Sequence, residues 1–409
     1  MADRMGDRRR VLLTSIGSRG DVQPLAALGL ALQEQGALAR VCAAPNFQTW
    51  IETLGLEFIP MGPDLRAFSA GSAGTARQRP TRRQAREMIQ KSTADSFAVL
   101  GRAAEDCAAL VVGGALQTAG RSIAEVRCIP YRYAAYCPVV LPSPDHPPPR
   151  FRRQALPSTV NRLLWMSYGM TWNALFREPV NQQRKALGLP PIKDLQNHVA
   201  TSTPWLAADP QLAPAGRNRS LDVHQPGAWL LPPGAPLPGV LEDFLSNGAP
   251  PVYVGFGSMV RSSLSAGELL AAVRAAGHRM LLSRGWANLA LDAVPEDCLI
   301  IDEVDHGRLL PRVAAVVHHG GAGTTTAAAR AGRPQVIVPQ IYDQFYWGHR
   351  VQQLGVGVVC SGELTHNGLR IALQHCCSAP VMDSAAALAT RMTDTGAEHT
   401  ARLLLQDIC

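Results

Sequence analysis

At 409 residues, 46% hydrophobic and 17% charged, the chain has material for two globular cores of about 200 residues each. No apolar run approaches the roughly 18 residues of a membrane span, and the polar, basic start lacks a secretion signal, so a cytoplasmic protein is expected. The net charge of +7 is small for this length and its cations are nearly all Arg, which excludes a strongly basic nucleic-acid binder; the nine cysteines show no C-x-x-C pair and read as reduced thiols, with no metal or redox site.

Taken in order, residues 10–17 read as a short buried strand ending in the turn Gly17-Ser-Arg-Gly-Asp21, and 24–36 has apolar residues at helical spacing. Strand 39–44, helix 47–55 and strand 56–61 follow. The basic run 77–86 has no interleaved aromatics and reads as a solvated loop. Helix 84–106, strand 109–113, a helix reaching Val126 and strand 129–137 complete a first alternating series. Residues 138–150 form a Pro-rich loop. Residues 161–187 have helical spacing, and their aromatics Trp165, Tyr168, Trp172 and Phe176 read as packing residues. Seven prolines between 208 and 238 argue against regular structure and place an interdomain linker there.

A second alternating series begins at Pro251, with strands expected at 252–255, 279–283 and 299–304 and a helix from Ser265. The stretch 314–344, AAVVHHGGAGTTTAAARAGRPQVIVPQIYDQ, then reads as strand, Gly-rich turn, helix from Thr324 and strand. Such a turn offers backbone N–H groups at a helix N-terminus, where a phosphate is favoured. Two imidazoles stand beside it, and one strand later Gln340, Asp343 and Gln344 supply groups suited to hydroxyls. Phosphate beside hydroxyls points to a nucleotide sugar. Strands alternating with helices in two halves imply parallel, doubly wound sheets. The expected division is 1–222, 223–385 and a helical tail 386–409 that packs back on the first half.

The ordered set His318, Gly320, Gly323, Thr324, Thr325, Pro334, Pro339, Asp343 and Gln344 closely resembles the signature of nucleotide-sugar-dependent glycosyltransferases of the α/β GT-B fold, two Rossmann-like domains facing across a cleft. Gly17 to Asp21, residues 136–144, 204–209, 227–231, 253–258 and 282–286 resemble, more narrowly, the glycopeptide-antibiotic (vancomycin-group) branch. The resemblance implies inverting, metal-independent transfer of a sugar from a UDP- or TDP-sugar to a natural-product aglycone. It needs no cofactor beyond that donor substrate. In it Asp21 stands where many relatives carry a catalytic His and becomes the general base; on the residues alone, Asp21 reads as a helix cap. Donor contacts then fall to Ser18, Ser258, Arg284, Trp286, His318, His319, Gly320, Gly321, Gly323, Thr324, Gln340, Asp343 and Gln344, with His318 on the α-phosphate; on the residues alone, Arg284 and Trp286 at their strand end read almost as well as packing residues. Acceptor contacts fall to Tyr136, Pro144 and His146, although a loop His is ordinarily solvated. The acidic run 302–305 lacks a D-x-D metal pattern and reads as a strand end. Polyketide, macrolide, sterol and lipid acceptors stay open, as do a GT-B epimerase and a non-catalytic nucleotide-sugar scaffold. Oligomeric state leaves no mark on the sequence.

Overall fold

The computed structural model describes residues 9–64, 81–114, 117–149, 151–218, 220–257, 259 and 263–408. Among the described residues twelve short strands form two six-stranded sheets, and every strand pair is parallel. The first sheet contains β1 (Arg10–Ser15), β2 (Leu38–Ala43), β3 (Glu57–Pro60), β4 (Ala109–Gly113), β5 (Tyr131–Ala135) and β6 (Trp205–Leu206), in the order β3-β2-β1-β4-β5-β6. The second contains β7 (Val252–Gly255), β8 (Met280–Ser283), β9 (Cys298–Ile301), β10 (Ala315–His318), β11 (Gln335–Ile337) and β12 (Gly357–Val359), in the order β12-β11-β10-β7-β8-β9. Counted from its own first strand, each sheet runs 3-2-1-4-5-6. That is the doubly wound order, which opens a crevice at the carboxyl ends of strands 1 and 4. The crevices lie between β1 and β4 in one half and between β7 and β10 in the other.

The central strands are continuous apolar runs because helices cover both faces of each sheet. Val11, Leu12 and Leu13 of β1 and Val316 and Val317 of β10 are fully buried. The first helix, Arg19–Glu34, presents Val22, Leu25, Leu28 and Leu32 to this core and stops before Gly36, which takes the left-handed conformation at φ +87°. It begins five residues before the Pro24 start expected from sequence, and that shift places Asp21 inside its first turn. The basic run is also corrected. Thr81 caps a helix over Arg82–Ala103, so its second half is the start of a helix, and residues 77–80 lie outside the described residues.

The last helix, Gly396–Asp407, returns to the first half of the chain and packs on Arg19–Glu34. Ala397, Ala401 and Leu404 join that half's apolar core, Trp229 donates from Nε1 to Thr400 Oγ1 at 2.8 Å, and Arg132 pairs with Asp407. The preceding helix, Ala379–Ala389, stays with the second half, against the helix Ala322–Arg330. No helix among the described residues is long and apolar enough to cross a membrane.

Candidate active site

Asp21 sits at the third position of its helix. Its Oδ2 accepts from the Ser18 backbone N–H at 2.9 Å and from Ser18 Oγ at 3.3 Å, which closes the first turn. Close packing around the carboxylate demands glycine on two sides. A Cβ on Gly17 would lie 2.2 Å from Oδ2, and one on Gly114 would lie 3.2 Å from Oδ1. Burial, then the charge of Asp343, push the Asp21 pKa from 3.8 to about 6, against the opposing pull of the Ser18 hydrogen bonds. Asp343 comes from the other half, immediately before the helix Gln344–Gln353, so a charge of the second half is felt by the carboxylate of the first. Burial also pushes Asp343 to about 6, while Trp347 Nε1 donates to its Oδ2 at 3.0 Å.

The Gly-rich turn follows β10. The helix Ala322–Arg330 opens two residues earlier than the expected Thr324, so Gly323 and Thr324 belong to its first turn. The backbone N–H groups of Ala322, Gly323 and Thr324 have no intrahelical acceptor and carry the positive end of the helix dipole. Gly257 (φ +56°) and Gly285 (φ +55°) bring the turns after β7 and β8 together, with Trp286 N–H donating to Gly257 O at 2.9 Å. The His319 ring lies against Gly257 and Gly321: Cβ atoms there would lie 3.1 and 2.6 Å from it.

The two histidines are not equivalent, and the assignment of His318 to the phosphate is revised. His318 is fully buried; its Nδ1 accepts from Gly320 N–H at 3.1 Å, which leaves Nε2–H to donate to Gln335 Oε1 at 2.9 Å. Burial lowers its pKa to about 3, so the ring is neutral and both nitrogens are occupied in holding the turn. His319 is also held neutral, at about 4, by burial, but its buried Nδ1 has no partner among the described residues. His319 is the imidazole with capacity for a ligand. Replacing Gln335 with Leu strands the buried His318 Nε2–H and is expected to destabilise the protein by about 1–3 kcal/mol, read from urea unfolding.

Other expected site residues separate in the same way. The Gln344 side-chain oxygen accepts from Gln340 N–H at 2.7 Å and Ile341 N–H at 3.1 Å, so it shapes the loop that delivers Asp343 and is not open to a sugar hydroxyl. Gln340 is half-buried in that loop. Arg284 pairs with Asp302 at 3.3 Å near the half-buried Trp286. Ser258 lies outside the described residues. On the acceptor side, Tyr136 is a core residue, 8% exposed and edge-on to Trp229, and does not line an open pocket. Pro144 O accepts from Asn161 Nδ2 at 2.9 Å. His146 is neither solvated nor poised to take a proton. It is buried edge-on to Trp165 and Tyr346, and burial lowers its pKa to about 4.

Three residues escaped the sequence reading. Arg19, the one cation of the first turn's motif, reaches across the crevice to pair with Glu303 and lies 4.5 Å from the Trp50 ring centroid. Trp347 fixes Asp343 from one helical turn away. Tyr342 holds a left-handed backbone at φ +58°, a strained state for an aromatic residue, and its phenol meets that of Tyr168 on the helix Ser158–Ala186. Only the Arg carried a readable signal. The aromatics Trp165, Tyr168, Trp172 and Phe176 form a continuous run of ring contacts along that helix, with centroids 5.4–6.2 Å apart.

Residues 11–143 match the N-terminal domain of glycosyltransferase family 28, and residues 268–399 match the C-terminal domain of the erythromycin biosynthesis protein CIII-like family. The chain is 41% identical over 404 residues to the vancomycin aglycone glucosyltransferase of Amycolatopsis orientalis, covering 98% of each chain. It is 42% identical over 361 residues to dTDP-epi-vancosaminyltransferase of the same organism, covering 86% of each. Among solved structures, the glycotransferase of kitacinnamycin superposes with a TM-score of 0.71 at 17% identity, covering 98% of this chain and 99% of the other.

Proposed function

Because the chain belongs to the same glycosyltransferase family as these vancomycin-group enzymes, we propose that it moves a hexose from a nucleoside diphosphate sugar, UDP-glucose first among the donors, to a hydroxyl of a glycopeptide aglycone. The reaction is a single displacement with inversion. The observation that carries this reading is the approach of Asp21 from the first half to Asp343 from the second, whose neighbour Gln344 packs against Gly320 in the turn after β10.

In this mechanism the acceptor hydroxyl attacks the anomeric carbon as its proton passes to Asp21. The bond from that carbon to the diphosphate breaks, and the charge gathering on the leaving phosphate meets the N–H groups of Ala322, Gly323 and Thr324 together with His319. Preorganised donors of this kind supply stabilisation that water would have to reorganise to give. Asp343, oriented by Trp347, receives a hydroxyl of the sugar. His318 acts through the turn it braces. Charge stabilisation in this reading falls to the N–H groups and the imidazole.

The test is mass spectrometry of vancomycin aglycone incubated with the enzyme and, separately, UDP-glucose and TDP-linked sugars. A gain of one hexose from UDP-glucose, a β-configured product by anomeric proton coupling, and an unchanged rate in EDTA are expected. A gain only from a TDP-sugar changes the donor. No gain from any donor, with nucleoside diphosphate still bound, removes the glycopeptide acceptor.

A further inference from the structure

Three buried polar side chains at or just after the carboxyl ends of β1, β4 and β5 are left unused by the mechanism. Ser15 ends β1 and is 0% exposed, Gln117 follows β4 and is 1% exposed, and Tyr136 follows β5 and is 8% exposed. Ser15 Oγ, Gln117 Oε1 and the Tyr136 hydroxyl are buried with no hydrogen-bonding partner among the described residues. Gln117 is set apart from the other two: its amide donates to Thr14 Oγ1 at 2.9 Å, and Thr14 points to the opposite face of β1 from Ser15.

Gly113, the last residue of β4, and Gly114 after it show how Ser15 and Tyr136 converge on Asp21. A Cβ on Gly114 would stand 3.2 Å from both Asp21 Oδ1 and Ser15 Oγ, and one on Gly113 would stand 1.9 Å from the Tyr136 hydroxyl. One small stretch of backbone therefore touches the carboxylate, the serine and the tyrosine. A buried polar atom left dry costs about 1–3 kcal/mol, and in proteins such groups are ordinarily met by ordered water. Their chemistry is complementary. Ser15 and Tyr136 bring hydroxyl donors, while Asp21 Oδ1 brings an acceptor, three partners within the two to four that a buried water takes.

We propose that Ser15 and Tyr136 are positioning residues that hold ordered water against Asp21 Oδ1, orienting the carboxylate and favouring its ionised form. The proposal rests on Asp21 being the base. The groups facing Asp21 are Ser18 on its own turn, Ser15 from β1, Tyr133 and Tyr136 from β5 and its end, and Asp343 from the other half. Burial and Asp343 oppose ionisation. Donors relayed through water favour it, so their loss moves the midpoint upward.

The experiment is a 13C NMR titration of protein labelled at the aspartate carboxyl carbons, with Asp21→Asn identifying the signal; it needs no substrate. Ser15→Ala and Tyr136→Phe are each expected to raise the Asp21 midpoint by roughly half to one pH unit. A midpoint unmoved or lowered in both overturns the proposal, as a merely structural role predicts. If Tyr136→Phe fails to fold, Ser15→Ala alone decides. The two readings separate cleanly. An unmoved midpoint with an inactive Asp21→Asn removes the water network and keeps the base, while an active Asp21→Asn removes the base whatever the midpoint does.

Discussion

Asp21→Asn is expected to lose turnover by about 10²–10⁴-fold, the usual worth of general-base help, while nucleoside diphosphate affinity stays within a few-fold of wild type. Asn retains the oxygen that accepts from Ser18 N–H, so the helix cap survives and only proton acceptance is lost. In the wild type the rate should fall as pH drops through about 6, where the carboxylate takes up its proton. The same substitution should stabilise the fold at neutral pH. The folded pKa lies above the ordinary 3.8, so the protonated form is the one the fold prefers. Stability from that preference is full below about pH 4 and is lost as pH rises through about 6. Removing the charge returns about 1–3 kcal/mol at pH 7.5, and almost none at pH 4. Thermal melts of wild type and variant at the two pH values read this directly. A variant that is slow but no more stable at pH 7.5 would mean that the carboxylate is well solvated in the free enzyme. A variant of undiminished turnover places the base elsewhere.

Asp21 also shows what sequence reading could and could not deliver. Helix cap and base were competing readings of one residue, yet the structure has a single carboxylate in the capping position with its other oxygen facing the β4 glycines. The helix was expected to start near Pro24, a residue that favours first helical turns, whereas Ser18 is its N-cap and Asp21 completes the capping box from the third position. The alternating apolar runs that make two doubly wound sheets were legible because parallel strands are buried on both faces, and the motif after β10 was legible as a strand–turn–helix. Strands β6 and β12, two and three residues long, are too short to leave a periodic trace. The partners that decide each site residue's role come from positions no local pattern links. Gln335 holds His318, Trp347 holds Asp343, and the backbone around residue 340 engages Gln344. His318 and His319 look alike in a motif, and only their hydrogen bonds tell the brace from the free imidazole.

Gly320→Ala is expected to weaken nucleoside diphosphate binding by at least about tenfold and to destabilise the protein by about 2–4 kcal/mol, whereas Gly323→Ala, three residues on in the same motif, should be tolerated. Gly320 has φ +89°, where a side chain is strained by about 1–2 kcal/mol before any contact is counted. Its Cβ would then lie 2.8 Å from Ile337 Cγ2 and 3.1 Å from the Gln344 backbone oxygen. The second neighbour cannot rotate away, because it belongs to the first turn of the helix Gln344–Gln353. Relief requires that helix to shift, and Asp343 and the Trp347 bond shift with it. The Gly320 N–H that pins His318 Nδ1 moves as well, so one added methyl disturbs the phosphate side and the sugar side of the crevice together. Gly323 meets nothing within 4 Å, has no positive φ and sits in a helix, where Ala is favoured over Gly by about 1 kcal/mol. Its N–H remains available to a phosphate after the change. Calorimetric titration with UDP and a thermal melt of each variant separate the two outcomes. Equal damage from both substitutions would mean that the helix N-terminus tolerates no side chain near the ligand, and would shift the donor site toward Gly323 and away from the brace formed by Gly320 and His318.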